Sequence, residues 1–315
     1  MDKARILVIG AGVNGSAISA GLFRGGVDVK VLARGKRYEE LCSEGIVIEN
    51  PFNQKRTITK VPVTDQLLPD DPYDYVLVVV RKNQVASLLP LLVQNCSPNI
   101  VFMGNNLSGP AELVKALGKE RVMMAGVFAA GKRDGDLIRA IVFKSAGSPI
   151  GEIDGRITPR LKRLADIFHQ AGFKVELSSN IVDSQMTHGV GVALIATLAM
   201  KHGGKVRTLA RATDDLRLFV AARREGQQVL RTLGHQILPK SEVLISKIPA
   251  FLQVAAMWIL LSSKFGVVGL EYHLSQAPDE MDQLVGEFKE LVDQAGIPVP
   301  AIRKVLGEIS ISGEL

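Results

Sequence analysis

The chain has 315 residues, 47% of them hydrophobic and 22% charged, with a formal net charge of +6; this length suits about two domains with ample cores and excludes a disordered chain. Aromatic residues make up only 5% and no basic run is interleaved with stacking side chains, so nucleic acid is a poor partner for the mild positive charge. Cys42 and Cys96 are too few for a disulfide framework, and no Cys/His spacing marks a metal site, which fits a reducing cytoplasm.

In chain order, the N-terminal "MDKARILVIG" runs straight into glycines and lacks the apolar region and cleavage site of a signal peptide. "RILVIG" (5–10), "DVKVLA" (28–33), "DYVLVVV" (74–80), "NIVFMG" (99–104) and "RVMMAGVF" (121–128) are continuously apolar, as strands of a parallel sheet covered on both faces are. Helical patterns over 15–26, 84–95 and 110–118 lie between them. The alternation predicts an α/β domain of the doubly wound, Rossmann type. "GIVIEN" (45–50) and "KRTITKVPV" (55–63) read as an antiparallel hairpin, and "GDLIRAIVF" (135–143) with "SPIGEI" (148–153) as extensions of the sheet's edge. Thr158 is a helix N-cap with Pro159 at the first helical position.

After about Asn180 the texture becomes helical, which places a domain boundary there and predicts an all-helical second domain over 181–315. Its clearest helix covers 279–295, with Met281, Leu284, Val285, Phe288, Leu291 and Val292 as an apolar stripe and Gly296 as the stop. The apolar stretches 189–200 and 251–261 are shorter than the roughly 20 residues a bilayer span needs, so they read as buried helices and no membrane is expected. Arg223, Arg224 and Arg231 read as a solvated helix face.

The segment "VIGAGVNG" sets Gly10, Gly12 and Gly15 directly after the first strand and before a helix, with Val13 and Asn14 between the last two glycines. In that context the first glycine allows the turn, the second lets backbone approach a pyrophosphate and the third lets the helix pack closely. A dinucleotide is the expected ligand. A NAD-binding unit places Asp or Glu about 20 residues further on, to hold the ribose hydroxyls. Here "VLARGKR" (31–37) supplies Arg34, Lys36 and Arg37 instead, which suits a 2′-phosphate and predicts NADP(H). The plainer alternative is a solvated basic loop.

Together with "DYVLVVVRKNQV", "NIVFMGNNLSG", "AAGKRDGD" and "DEMDQLVGEFKELVDQAGIPVP", these segments resemble the ketopantoate reductase (2-dehydropantoate 2-reductase) family of NADPH-dependent 2-oxoacid reductases. The resemblance implies a helical second domain used for substrate binding and dimerisation, the partner being a second copy of the chain, and a site where the ends of the first, fourth and fifth strands meet that domain. It implies that Asn105 lies by the nicotinamide and substrate, that Glu280 binds the substrate hydroxyl, and that Arg81, with Lys82 beside it, stands in for a cofactor-binding lysine. Where the family carries a tryptophan, a catalytic lysine and two asparagines on one helix, this chain has Met186, His188, Val192 and Ala196.

His188 shares a helical face with Val192, Ile195 and Ala199. It is either a satisfied core histidine or the replacement proton donor to a carbonyl, a task imidazolium performs near neutrality. Lys201 falls on another face. Glu280 is open to a plain reading too, since acidic residues in a first turn favour the helix dipole. The expected function is reduction of a 2-oxoacid or related carbonyl substrate less hydroxylated than ketopantoate, with His188, Glu280 and Asn105 at the reaction. Two rivals stand beside it: a protein that binds NADP(H) without turnover, as a sensor or partner, and a dehydrogenase of an unrelated substrate such as an amino-acid-derived imine.

Overall fold

The computed structural model describes residues 4–143 and 147–307. The chain divides into two compact units, one of Met1–Gly104 with Pro110–Val182, the other of Asn105–Gly109 with Asp183–Leu315.

In chain order the first unit runs β1 (Arg5–Ile9), α1 (Val13–Arg24), β2 (Asp28–Leu32), α2 (Lys36–Ser43), β3 (Ile46–Glu49), β4 (Arg56–Thr59), β5 (Val63–Thr64), β6 (Tyr75–Val78) and α3 (Lys82–Gln94). There follow β7 (Ile100–Met103), α4 (Ala111–Leu117), a short 3-10 turn, β8 (Val122–Ala125), β9 (Ala129–Asp134), β10 (Leu137–Val142), β11 (Ser148–Glu152), α5 (Pro159–Gln170) and β12 (Val175–Leu177). The main sheet has eight strands in the order β12-β11-β8-β7-β6-β1-β2-β5. Its pairings are parallel except that of β8 with β11. Strand order reverses at β1, which lies between β6 and β2, and in open α/β sheets ligands bind beyond the carboxyl ends of the strands at such a point.

Alternation along each strand builds two cores. Ile6, Val8, Val31, Leu77 and Val101 point to one face, under Ile18 and Leu22 of α1 and Leu161, Leu164 and Phe168 of α5. Leu7, Ile9, Val76, Val78 and Ile100 point to the other, under Leu88 and Leu92 of α3 and Leu113 and Leu117 of α4. Burying a side chain of this kind stabilises by about 1.5 to 3 kcal/mol. Both faces are therefore committed, and the strands are apolar throughout. Thr158 caps α5, its side chain accepting from the Leu161 amide, with Pro159 at the helix start.

The 45–63 hairpin forms as β3 and β4. "SPIGEI" joins the main sheet as β11, but "GDLIRAIVF" does not extend it. That segment becomes β10, which pairs with β9 and β3 in a separate four-stranded sheet. The reason is local: Gly135, at φ +62°, and Asp136 make a two-residue turn between Asp134 and Leu137, which folds 137–142 back on 129–134. β12 had no signal in the sequence, being three residues long with two of them exposed.

The second unit is helical among the described residues: most of α6 (Ile181–Lys201), then α7 (Val206–Arg211), α8 (Thr213–Thr232), α9 (Lys240–Lys247), α10 (Ala250–Ser262), α11 (Lys264–Gly266), a π-helical turn (Val267–Glu271), α12 (Tyr272–Gln276), α13 (Pro278–Ala295) and α14 (Pro300–Leu306). The stripe on α13 is buried as expected, and Gly296 at φ +61° ends the helix. Residues 189–200 are largely buried in α6. The stretch 251–261 corrects the expectation: of α10 only Gln253 and Leu261 are buried, while Phe251 is 71% and Ile259 62% exposed. An apolar run reports a need for cover without saying whether the same chain supplies it. No single described helix is long and apolar enough to cross a membrane; α9 and α10 pass that test only as a pair, bent by 117°. Of the arginines read as solvated, Arg223 is instead half-buried and pairs with Glu242, while Arg224 is exposed as expected but its Nη2 also donates to the Ile248 carbonyl at 3.0 Å.

Candidate functional site

The three glycines differ in what the fold asks of them. Gly10 turns at φ +107°, and a Cβ there would lie 2.3 Å from the Val79 carbonyl oxygen; one on Gly15 would lie 1.8 Å from the Gly10 oxygen. Both must be glycine for the turn to close. Gly12, at an ordinary φ of −76°, has nothing within 4 Å of the place a Cβ would take. The fold leaves that edge bare at the head of the 12-residue α1, and no side chain caps the helix. First amides and the positive end of the dipole at such a helix head can hold an anion. Val13 and Asn14 could contribute only backbone amides here, because the Asn14 carboxamide oxygen is engaged, accepting from the amides of Phe128 at 3.1 Å and Ala129 at 2.8 Å.

Beyond β2 the cations separate. Arg34 is exposed and has no hydrogen-bond or ion-pair partner among the described residues. Gly35 then turns at φ +54° and α2 begins without a side-chain cap, so Arg34 and Lys36 flank a second helix N-terminus. Lys36 is exposed, with Glu40 at 4.0 Å. Arg37 corrects the sequence reading, because it is turned inward and buried. Its Nε donates to the Ala11 carbonyl at 3.2 Å, and its other nitrogens reach Glu40 at 3.1 Å, Asp136 O at 3.4 Å and Ser16 Oγ at 3.4 Å. Burial holds its pKa below the ordinary arginine value, with Glu40 opposing. Arg37 thus braces the glycine turn and has little of its fork left for a phosphate.

β6 leaves the sheet beside that turn, with Val79 N donating to Ile9 O at 2.8 Å. Two residues on, Arg81 stands at the head of α3, its amide donating to Gln84 at 3.3 Å. Arg81 and Lys82 are both half-buried. Register thus brings Gly10 and Arg81 to the ends of adjacent strands.

Asn105 follows β7 through Gly104, which sits at φ +138°. It is half-buried and makes no hydrogen bond among the described residues, so its amide is open to a ligand. The loop it begins is held from α13. One carboxylate oxygen of Glu287 accepts from the amides of Leu107 at 3.0 Å and Ser108 at 3.2 Å, and the other accepts from Gln283 at 2.9 Å. Glu280, two helical turns before Glu287, is buried in the first turn of α13, with His273 Nε2 3.8 Å from its Oε2. The sequence reading missed both Glu287 and His273. The only signal for Glu287 was its spacing of seven from Glu280, which puts both on one face.

Residues 6–148 match the family model for ketopantoate reductase PanE/ApbA. The 2-dehydropantoate 2-reductase of Archaeoglobus fulgidus is 27% identical over 252 residues, 77% of this chain and 79% of that protein. Over residues 6–148 the chain is therefore similar to the ketopantoate reductase family. Two solved structures share the fold: 2-dehydropantoate 2-reductase from Methylococcus capsulatus, 21% identical with 99% of both chains covered and a TM-score of 0.76, and a D-mandelate dehydrogenase in ternary complex with NADH and anilino(oxo)acetate, 15% identical with 96% of both chains covered and a TM-score of 0.74.

Met186 and Ala196 are buried, Val192 is half-buried and His188 is exposed. His188 makes no hydrogen bond among the described residues, so it is not a satisfied core histidine. Burial of its surroundings lowers its pKa from the ordinary 6.5, with Glu242 acting the other way. A ring that water still reaches keeps part of its hydration, which limits the lowering. No hydrogen bond joins His188 to Asn105 or Glu280. Lys201 is taken up by Asp215 at 3.1 Å, which also meets His202 at 2.7 Å.

Proposed function

We propose that the protein is an NADPH-dependent reductase of a 2-oxoacid whose side chain is less hydroxylated than that of ketopantoate. The observation that carries this reading is the bare edge at Gly12, a place a single methyl would fill, at the uncapped head of α1. The donor set there fits a dinucleotide: amides of Gly12, Val13 and Asn14 for the pyrophosphate, and the unpartnered Arg34 with Lys36 at the head of α2 for a 2′-phosphate. When bound, the nicotinamide supplies the hydride.

The chain's own residues do the rest. The Asn105 amide donates to the substrate carbonyl, the imidazolium of His188 gives a proton to the developing alkoxide, and the Glu280 carboxylate accepts from the hydroxyl so formed at C2. Because its pKa is lowered, His188 serves as a donor mainly on the acid side. Half-buried Val192 offers apolar surface to the substrate's side chain, and unpaired hydroxyls placed against it would be disfavoured. The depressed pKa of His188 also favours a second reading, a dinucleotide-binding protein without turnover.

A panel of aliphatic, aromatic and hydroxylated 2-oxoacids, ketopantoate included, assayed by NADPH and NADH oxidation tests the proposal. NADPH is expected to be consumed with an unhydroxylated member. Arg34→Ala is expected to weaken NADPH roughly 10- to 150-fold, the worth of about 1.5 to 3 kcal/mol for a charge-assisted contact, and to leave NADH unchanged. Tight NADPH binding with no turnover across the panel would establish the second reading, and equal wild-type affinity for both cofactors would remove the role given to Arg34.

A further inference from the structure

A cavity of about 390 Å³ lies in the second unit, lined by side chains that the proposed chemistry leaves unused. Its volume falls within the roughly 300 to 1,000 Å³ of small-molecule sites. One wall is the head of α7, with Lys205, Arg207 and Thr208; the other runs from Lys264 through the π-helical turn Val267–Glu271 to Tyr272. Such single π turns within helices are rare and often mark functional sites. Glu271 ties the two walls together, its Oε1 accepting from Lys205 Nζ at 3.1 Å and its Oε2 from the Val206 amide at 3.2 Å. Both carboxylate oxygens are thereby engaged. Arg207, by contrast, is exposed and makes no hydrogen bond or ion pair among the described residues, and the Thr208 hydroxyl is likewise unengaged. With Lys205, Arg207 and Lys264 against Glu271 alone, the lining carries three cations and one carboxylate, a surplus of two positive charges.

We propose that this cavity binds a phosphate monoester on a short carbon skeleton, as a ligand separate from the dinucleotide. Charge decides between the possible anions. A phosphate monoester carries about −1.5 to −2 at pH 7 and three acceptor oxygens, which matches the surplus. A carboxylate brings a single charge and two oxygens, which the fork of Arg207 alone would satisfy. With the monoester, the guanidinium takes two phosphate oxygens, Lys264 meets the third as a point charge, and the Thr208 hydroxyl donates beside them. Val267, the buried Val268 and the Tyr272 ring give the ester's carbon chain an apolar wall. The same surplus of positive charge disfavours a metal cation.

Calorimetric titration of the full-length protein with inorganic phosphate, n-butyl phosphate and pentanoate tests this. n-Butyl phosphate is expected to bind roughly 10-fold tighter than inorganic phosphate, through its carbons, and roughly 10-fold tighter than pentanoate, through its charge. Arg207→Ala and Lys264→Ala are each expected to weaken n-butyl phosphate about 10-fold, with melting temperature near wild type because both side chains are exposed, and with NADPH affinity unchanged. Arg34→Ala is expected to leave n-butyl phosphate binding as it was, and so is Lys304→Ala, which removes an exposed cation outside the cavity. Binding is read without turnover, so the result stands apart from the reductase reading. Loss of n-butyl phosphate in Arg34→Ala would place the phosphate at the dinucleotide's site, and equal weakening by Lys304→Ala would reduce it to general attraction by a basic protein. Either result, a wild type that binds no n-butyl phosphate, full binding by both cavity variants, or pentanoate binding as tightly as the ester would overturn the proposal.

Discussion

Replacing Gly12 by Ala separates folding from cofactor binding, because the structure predicts opposite outcomes at neighbouring glycines. At Gly12 the backbone lies in a region open to any residue and the added methyl meets nothing within 4 Å. The fold loses only the preference for glycine over alanine at a helix N-cap, under about 1 kcal/mol, or roughly 2 to 4 °C in Tm for a chain of this size. The methyl nevertheless occupies the space where a pyrophosphate would approach the first amides of α1. Losing one charge-assisted hydrogen bond there costs about 1.5 to 3 kcal/mol, so NADPH affinity is expected to fall roughly 10- to 150-fold. At Gly15 the methyl would sit 1.8 Å from a backbone oxygen that cannot rotate away, so Gly15→Ala is expected to destabilise by about 3 kcal/mol. Calorimetric titration with NADPH beside thermal melts of both variants checks the pair. Undiminished NADPH binding by Gly12→Ala would refute the assignment of the open edge to the pyrophosphate, whatever the melts showed.

Two further predictions concern the second unit. His188→Ala is expected to lower turnover roughly 10²- to 10⁴-fold with NADPH affinity unchanged; in the wild type, reduction requires the imidazolium, so log kcat is expected to fall with pH above a pKa displaced below 6.5, and full turnover in the variant would rule out the role. Glu287→Ala leaves the amides of Leu107 and Ser108 without their carboxylate, and is expected to cost about 1 to 3 kcal/mol of stability and to lower kcat through a loosened Asn105 while NADPH Kd stays constant; an unchanged kcat would show that the clamp does not position that residue.

What could be read in the sequence depended on whether the cause was local. The continuously apolar strands, the glycine turn after β1, the Thr158 cap and the stripe and stop of α13 all follow from neighbours in the chain, and the fold matches them. The direction of Arg37 does not. Three cations around one glycine look equivalent until the turn at Ala11 and the Glu40 side chain draw one of them inward. Apart from its spacing from Glu280, Glu287 gave no signal of its tie to Leu107 and Ser108, because those amides lie some 180 positions away. The course of 137–142 was legible in principle from Asp134, Gly135 and Asp136, a turn that commits the strand to a local hairpin before it can reach the main sheet. For α10, hydrophobicity alone could not say where the cover comes from.

In the proposed role, His188 in place of the lysine that the resemblance implies would change more than the identity of a donor. An ammonium stays protonated well above neutrality, so a lysine can supply a proton to a carbonyl throughout the ordinary pH range. An imidazole whose surroundings already disfavour its charge is mostly neutral at pH 7, and a neutral imidazole accepts protons more readily than it gives them. With such a group at the reacting oxygen, reduction is confined to the acid side, while oxidation of the corresponding alcohol, which needs a base, is favoured at and above neutrality. The depressed pKa acts on folding in the same sense. The unfolded chain takes up the proton at a higher pH than the folded one, so the stability present above the unfolded value is lost as pH falls through the folded one. The acid range that would help His188 donate is therefore also the range in which it weakens the fold.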